Sequence, residues 1–151
     1  MALSHSYTVN LSWQHDRQGV LFSEELAKAV EVATPPPFPK GVEKIWSPEH
    51  LFTAAVSSCF MTTFLAIAEN SKLEFESFTC KASGKLEQVD GKYKMTEVLL
   101  EPQLVIPHEH DQAKALRVLE KAEAACLITN SITSSVTMNP TIVIGGLISV
   151  L

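Results

Sequence analysis

Arginine and cysteine are scarce in this chain. Arg17 and Arg117 are the only arginines among 151 residues, and twelve basic residues stand against seventeen acidic ones, for a net charge of −5. A nucleic-acid partner requires a basic surface that neutralises phosphates, so this composition argues against one. The three cysteines, Cys59, Cys80 and Cys126, are odd in number and include no C-x-x-C spacing. Neither a disulfide framework nor a zinc finger is therefore indicated.

The N-terminus lacks the basic segment followed by an apolar segment that marks a secretory signal peptide. We therefore expect a cytoplasmic protein, whose thiols are kept reduced. Apolar residues make up 46% of the chain and charged residues 19%, which is typical of one compact domain. We predict a single domain over residues 1–151, with a core that needs no disulfide or metal. Any use of the cysteines is then expected to be chemical rather than structural.

Alternating apolar and polar side chains predict a β-hairpin near the N-terminus. Tyr7, Val9, Leu11 and Trp13 share one face of a predicted half-buried strand over 6–13, and residues 20–22 return as a second strand. The polar turn between the strands carries Arg17 at its tip. The segment 24–34 fits either a helix or a strand. The proline-rich segment 35–39 is predicted to be stiff and extended, because proline cannot donate to a strand ladder.

A long uncharged helix is predicted from Pro48 to about Asn70. Ser47 can cap its free N–H groups, proline suits the first helical position, and Glu49 favours the positive end of the helix dipole. Residues 51–68 carry no charge, so this helix must be buried on nearly every side. Its serines and threonines favour a core helix over a membrane span, and no membrane partner is expected. A lone unit of this size can hardly enclose it, which predicts an intertwined homodimer.

The second half of the chain is predicted to form a long β-hairpin, a helix and a strand. Asp90-Gly91 suits a two-residue turn, before a return strand over 92–106. Asp111 can cap a second helix that runs to about Ile128, and residues 132–138 alternate as a last strand. The apolar tail 141–151 stays unassigned. The order of elements indicates an α+β fold built from an antiparallel sheet and two helices.

Four residues could carry chemistry, and each also has a plain structural interpretation. Cys59 and Cys126 are of a residue type that is often buried as a small apolar side chain, and Cys80 is interpreted as core. Glu49 could simply favour the helix dipole, and Arg17 could be a solvated surface charge. A buried thiol is a poor nucleophile because burial raises its pKa, so a reactive Cys59 needs a cation beside it. Arg17 could supply that cation, with Glu49 holding the guanidinium in a bidentate contact.

Two segments of the chain together form a distinctive pattern. They are S-P-E-H-L-F-T-A-A-V-S-S-C-F at 47–60 and K-A-E-A-A-C-L-I-T-N-S at 121–131. This pattern resembles the cysteine motifs of the OsmC/Ohr family of thiol-dependent hydroperoxide reductases, and the order of elements fits over nearly the whole chain. The resemblance implies an OsmC-like intertwined homodimer, in which antiparallel sheets wrap two long central helices. It also implies that Cys59 is the peroxidatic cysteine, Cys126 the resolving cysteine and Glu49 the carboxylate that holds a catalytic arginine, for which Arg17 is the candidate.

The activity implied by the resemblance is that of a two-cysteine thiol peroxidase, an antioxidant oxidoreductase used in oxidative stress. Cys59 would be oxidised to a sulfenic acid by an organic hydroperoxide, and Cys126 would condense with it to a disulfide. An external dithiol, lipoyl-type or other, would then reduce that disulfide. No bound cofactor and no metal are expected. Apolar side chains near the motif favour an organic peroxide over hydrogen peroxide; they are Phe38, Phe52, Phe60 and Met61.

Three alternatives stay open at the level of sequence. The first is a noncatalytic OsmC-like protein that uses its cavity to bind a small molecule. The second is a metal site at His108 and His110, although no further clustered ligand spacing accompanies that pair. The third is a thioesterase-like fold, in which a sheet also wraps a buried helix, with Glu49 or His50 as the base. The last alternative leaves Cys126 without a role.

Overall fold

A computed structural model of the chain describes residues 3–145. These residues fall into two compact units that divide between Leu51 and Phe52. The helices and strands, in chain order, are β1 (Asn10–His15), β2 (Gln18–Phe22), β3 (Val30–Ala33), α1 (Pro48–Asn70), β4 (Ser77–Val89), β5 (Lys92–Ile106), α2 (Gln112–Ala125), β6 (Ser135–Met138) and β7 (Thr141–Ile144). The α+β prediction is confirmed.

The first unit is built on a three-stranded antiparallel sheet in the order β1-β2-β3. The tight turn between β1 and β2 consists of Asp16 and Arg17, which confirms Arg17 at the hairpin tip. The ambiguous segment 24–34 contributes the strand β3. The prediction that one face of the first strand is buried is wrong for the single chain, since Leu11 and Trp13 are 66% and 74% exposed. The alternation is present, but nothing in the described part of the chain covers that face.

The proline-rich segment forms turns, so the prediction of an extended segment is wrong. The N–H of Phe38 donates to the carbonyl of Pro35 at 3.1 Å, and the N–H of Gly41 donates to that of Phe38 at 3.0 Å. Proline's fixed φ suits the second position of a turn as well as an extended chain. Gly41 permits the tight fold, because a Cβ atom there would overlap the carbonyl oxygen of Pro35.

Helix α1 begins and ends where the sequence predicts. Ser47 is fully buried, and its Oγ accepts a hydrogen bond from the backbone N–H of His50 at 3.1 Å. The carbonyl of Ser47 accepts the first helical bond, from Leu51 N–H at 2.9 Å. Capping in this way satisfies one of the otherwise unpaired N–H groups of the first turn. The helix ends at Asn70, and Lys72 follows with a left-handed φ of 55°.

The second unit is organised around β5, the strand to which three others pair. Strand β4 pairs with it antiparallel across the Asp90-Gly91 turn, as predicted. Strands β6 and β7 pair with it in parallel, an arrangement that the prediction of an antiparallel sheet did not include. The turn has the left-handed angles of a two-residue hairpin, with φ of 51° at Asp90 and 78° at Gly91.

The core of the second unit lies between the sheet and one stripe of α1. Phe64 stacks on Phe78 of β4 at a ring-centroid distance of 4.8 Å. The stripe is fully buried and comprises Val56, Phe60, Phe64 and Ala68. Met61 and Leu65, on another face of the helix, stay 39% and 41% exposed. One chain therefore does not bury α1 on nearly every side, and the homodimer that would do so stays a prediction.

Helix α2 is shorter than the sequence indicates. It ends at Ala125 rather than near Ile128, because the backbone of Cys126 turns to an extended conformation (φ −62°, ψ 117°). The predicted cap at its start is also wrong, since the Asp111 side chain makes no capping hydrogen bond. Of the unassigned tail, residues 141–144 form β7, and residues 146–151 lie outside the described part of the chain.

Candidate functional site

The second unit brings Cys59 and Cys126 together. Cys59 lies half-buried in the middle of α1, and Cys126 follows directly after the last residue of α2 with 1% exposure. The Cys126 thiol donates a hydrogen bond to the Cys59 sulfur. Neither cysteine is in a disulfide in this structure. Two neighbouring thiols, one of them accessible to solvent, can form a disulfide after oxidation of the accessible one.

Hydrogen-bond donors surround the Cys59 sulfur and change its acidity. Burial alone would raise the pKa of the thiol. Donors to the sulfur outweigh burial and leave the pKa of Cys59 below its ordinary value; they are the backbone N–H of Ile128, the Cys126 thiol, the Thr63 hydroxyl and the backbone N–H of Leu127, in decreasing order of effect. The oxygen of the Thr63 hydroxyl lies 3.9 Å from the sulfur. A lowered pKa increases the thiolate population, and the thiolate is the nucleophilic form.

Cys80 has the opposite environment. It lies on β4 and packs partly buried against the core of the second unit, as predicted. Burial raises the pKa of this thiol, and the nearby charge of Glu101 acts in the same direction. Cys80 therefore remains a protonated thiol at neutral pH and is the least suited of the three cysteines to act as a nucleophile.

Arg17 and Glu49 line one cavity of the first unit. The cavity has a volume of about 460 Å³ and is walled by apolar side chains that include Leu11, Trp13 and Phe38. Within its described lining, Arg17 is the one basic residue and Glu49 the one acidic residue. Atom Oε1 of Glu49 is buried, whereas the Arg17 residue is exposed. Such a cavity suits an apolar ligand that carries one polar or anionic group. The predicted bidentate contact between the two side chains stays a prediction.

Main-chain hydrogen bonds at the end of β3 hold the segments that carry Arg17 and Glu49. The carbonyl of Arg17 accepts a hydrogen bond from Thr34 N–H at 3.2 Å, directly after β3. The N–H of Ala33, the last residue of β3, donates to the carbonyl of Trp46 at 2.8 Å. Trp46 precedes the cap of α1, and Glu49 lies in the first turn of that helix. One short strand therefore anchors both the hairpin tip and the helix start.

Three features of these sites were not predicted from the sequence. Thr63 was not singled out, although a residue four positions after Cys59 on a helix must lie on the same face. Ser47 and His50 form a hydrogen-bonded pair, with 2.7 Å between Ser47 Oγ and His50 Nδ1. The capping-box spacing of three residues could have indicated that contact. The backbone donors at Leu127 and Ile128 carry no sequence signal of their own.

The histidines of the metal alternative lie close together. The rings of His108 and His110 stack at a centroid distance of 5.2 Å, and His108 Nε2 lies 3.4 Å from a carboxylate oxygen of Glu74. Among residues 3–145, no group of three or more histidine, cysteine, aspartate or glutamate side chains is arranged to hold a metal ion.

Helix α1 is long and apolar enough, by length and composition, to cross a membrane. Its mean hydropathy reaches 1.8 over eighteen residues, of which 22% are buried within the chain. The core helices of soluble proteins share these features, so this observation is weak evidence for a membrane span.

Comparison with known proteins shows the family of this chain. The sequence profile of the OsmC-like proteins matches residues 41–141. An uncharacterized protein of Bacillus subtilis, YmaD, is 24% identical over 137 residues, which cover 87% of this chain and 89% of that protein. Because that protein is uncharacterized, the match indicates no function for this chain.

Solved structures show the same fold. An OsmC-like protein of unknown function from Vibrio cholerae superposes with a TM-score of 0.81 and 26% identity, over 91% of this chain and 99% of that one. An organic hydroperoxide resistance protein from Elizabethkingia anophelis superposes with a TM-score of 0.72 and 21% identity, over 95% of this chain and 100% of that one. The family profile spans most of the chain, and the two folds superpose over 91% and 95% of it; the chain belongs to the OsmC family.

Proposed function

We propose that this protein is a two-cysteine thiol peroxidase that reduces organic hydroperoxides. The observation that carries the proposal is the pair of Cys59 and Cys126, in which an accessible thiol of lowered pKa is hydrogen bonded to a buried thiol. The first property suits a nucleophile and the second a resolving partner. Two solved relatives of the same fold are named organic hydroperoxide resistance proteins, from Elizabethkingia anophelis and Legionella pneumophila.

The proposed reaction has two steps on the protein. The Cys59 thiolate attacks the distal oxygen of the hydroperoxide, the O–O bond breaks, and the departing alkoxide takes up a proton to leave as the alcohol. Cys59 is thereby oxidised by two electrons to a sulfenic acid. The Cys126 thiol then attacks the sulfenic sulfur, a disulfide forms and water leaves. An external dithiol reduces that disulfide by two successive exchanges and becomes a disulfide itself.

Arg17 and Glu49 have proposed roles in the same reaction. The Arg17 guanidinium would stabilise the thiolate and the departing alkoxide by charge, and the Glu49 carboxylate would orient the guanidinium. Support comes from their shared cavity in the first unit, in which each is the one residue of its charge. The apolar walls of that cavity favour a hydroperoxide with an organic group over hydrogen peroxide.

We also propose that the protein acts as a cytoplasmic homodimer. Two apolar surfaces of the single chain support a dimer: the exposed side of α1 at Met61 and Leu65, and the face of β1 at Leu11 and Trp13. Exposed apolar stripes on regular elements are typical of association surfaces. The mechanism requires Cys59 and Cys126 to return to the thiol form after each cycle, and the cytoplasm keeps thiols reduced.

The test is to oxidise reduced protein with a slight excess of cumene hydroperoxide or hydrogen peroxide, and to identify the modified peptides by mass spectrometry. We expect two thiols per chain to disappear with a Cys59–Cys126 crosslink, faster with the organic peroxide. The Cys80→Ser variant is the matched control and should behave like the wild type. In Cys126→Ser, Cys59 should accumulate as sulfenic acid, which the excess peroxide then oxidises to sulfinic acid. If all three thiols of the wild type stay reduced, the peroxidase is refuted and the noncatalytic binding protein becomes the better interpretation.

A further inference from the structure

The donors around the Cys59 sulfur come from two separate parts of the second unit. Thr63 lies one helical turn after Cys59 on α1, and its hydroxyl is within 3.9 Å of the sulfur. The other donors are the main-chain N–H groups of Leu127 and Ile128, which follow the second cysteine. Among the described residues of the second unit, the titratable group that is hydrogen bonded to Cys59 is the Cys126 thiol.

The backbone after α2 explains why these amides are available. The extended conformation of Cys126 ends the helical hydrogen-bond pattern, and Ile128 then returns to helical angles (φ −67°, ψ −46°). Two later amides are already used, since Asn130 N–H donates to the carbonyl of Cys126 and Ser131 N–H to that of Ile128, both at 3.0 Å.

We propose that the hydroxyl of Thr63, 3.9 Å from the Cys59 sulfur, is a catalytic group that stabilises the Cys59 thiolate by a hydrogen bond, with the backbone N–H of Ile128 as a second donor. The term catalytic rests on the proposed peroxidase function, in which that sulfur reacts; the hydrogen bonds themselves do not depend on it. Each donor favours the anion over the thiol, so removing one lowers the thiolate fraction at a given pH.

Thr63 can be tested with a neighbouring control. Thr63→Val replaces the hydroxyl by a methyl group of the same shape, and Thr63→Ser restores a hydroxyl. Thr62→Val makes the identical change one residue earlier, where the hydroxyl donates to the carbonyl of Cys59 at 3.1 Å instead of to the sulfur. The readout is the rate of Cys59 alkylation by iodoacetamide as a function of pH in the full chain, followed at the Cys59 peptide by mass spectrometry.

We expect Thr63→Val to move the midpoint of this profile to higher pH by about half a unit, which is roughly a threefold loss of thiolate at neutral pH. Thr63→Ser and Thr62→Val should keep the wild-type midpoint. Equal midpoints in Thr63→Val and the wild type, or an equal shift in Thr62→Val, would refute the role of the Thr63 hydroxyl.

The amide of Ile128 can be removed without changing its backbone angle. The φ of −67° at Ile128 is the angle that proline requires, so Ile128→Pro deletes the N–H in a compatible conformation. Ile128→Ala is the matched control, because it removes the side chain and keeps the N–H. We expect Ile128→Pro to slow alkylation at neutral pH by about tenfold, the size of one pKa unit, and Ile128→Ala to change it less than twofold. Equal rates in the two variants would refute the role of the amide, and a circular dichroism spectrum verifies that each is folded.

These results are independent of peroxidase turnover, because alkylation needs only the thiolate. If Thr63→Val and Ile128→Pro shift the profile but no hydroperoxide oxidises the wild type, the donors stand and the proposed function fails. If the wild type forms the crosslink but neither variant shifts the profile, the function stands and the proposed donors are refuted.

Discussion

Replacing Ser47 by alanine tests how the start of α1 is held. The change removes the buried Oγ, which accepts the N–H of His50 at 3.1 Å and pairs with His50 Nδ1 at 2.7 Å. Loss of an N-cap side chain costs about 1 kcal/mol, within a range of about 0.5–2 kcal/mol. The imidazole of His50 is exposed and can bond to water instead, so its lost contact adds little. We expect Ser47→Ala to lower the free energy of unfolding by about 1–2 kcal/mol.

The assay is urea denaturation of Ser47→Ala, His50→Ala and the double variant. Since the capping bond goes to the His50 main chain, His50→Ala keeps it and should cost less than about 0.5 kcal/mol. For a chain of this length, the expected loss in Ser47→Ala corresponds to roughly 2–8 °C in Tm. A wild-type urea midpoint for Ser47→Ala, or an equal cost for the two single variants, would show that the cap does not hold the helix as described.

Three further predictions concern the core, the thiols and a close approach of two backbone segments. Phe64→Ala should cost about 3–5 kcal/mol in urea denaturation because it empties a fully buried site, whereas Leu127→Ala, at an exposed position, should stay within about 0.5 kcal/mol. Cys59 should be alkylated at lower pH than Cys80, because the pKa of Cys59 is lowered and that of Cys80 is raised. The measurement is a pH series of alkylation resolved by peptide, and the reverse order of the two cysteines would contradict the described environments. Gly41→Ala should destabilise the first unit by more than about 1 kcal/mol, since its Cβ meets a backbone carbonyl that cannot rotate away, and an unchanged Tm would contradict that geometry.

The elements that were predicted correctly are those determined by residues close together in the sequence. Ser47-Pro48-Glu49 marked the start of α1 because capping and the dipole act within one helical turn. Asp90-Gly91 marked the hairpin turn, because few residue pairs accept its left-handed angles. Arg17 was placed at a hairpin tip for a similar reason, as the polar residues around it interrupt an alternating pattern.

The features that were missed either have no marker residue in the sequence or depend on how the chain folds back on itself. No residue near 126 signals the end of α2 by glycine or proline, so the helix was extended past Cys126. The parallel pairing of β6 and β7 with β5 follows from the path of the whole chain between them. The turns of the proline-rich segment depend on the close approach that Gly41 permits. At the site, both cysteines were identified by resemblance, whereas main-chain donors such as the N–H of Ile128 have no residue type that could mark them.

The pairing of three strands with β5 also predicts an order of folding for the second unit. Strands β4 and β5 are joined by two residues, so their pairing closes a minimal loop and can form on the microsecond timescale of hairpins. Strands β6 and β7 reach β5 only after the chain has passed through α2, which makes their closure entropically more costly. We therefore expect the hairpin to form first and to serve as a template for the parallel strands. A substitution at Gly91, whose φ is positive, should therefore lower the folding rate. Destabilising substitutions in β6 or β7 should mainly raise the unfolding rate.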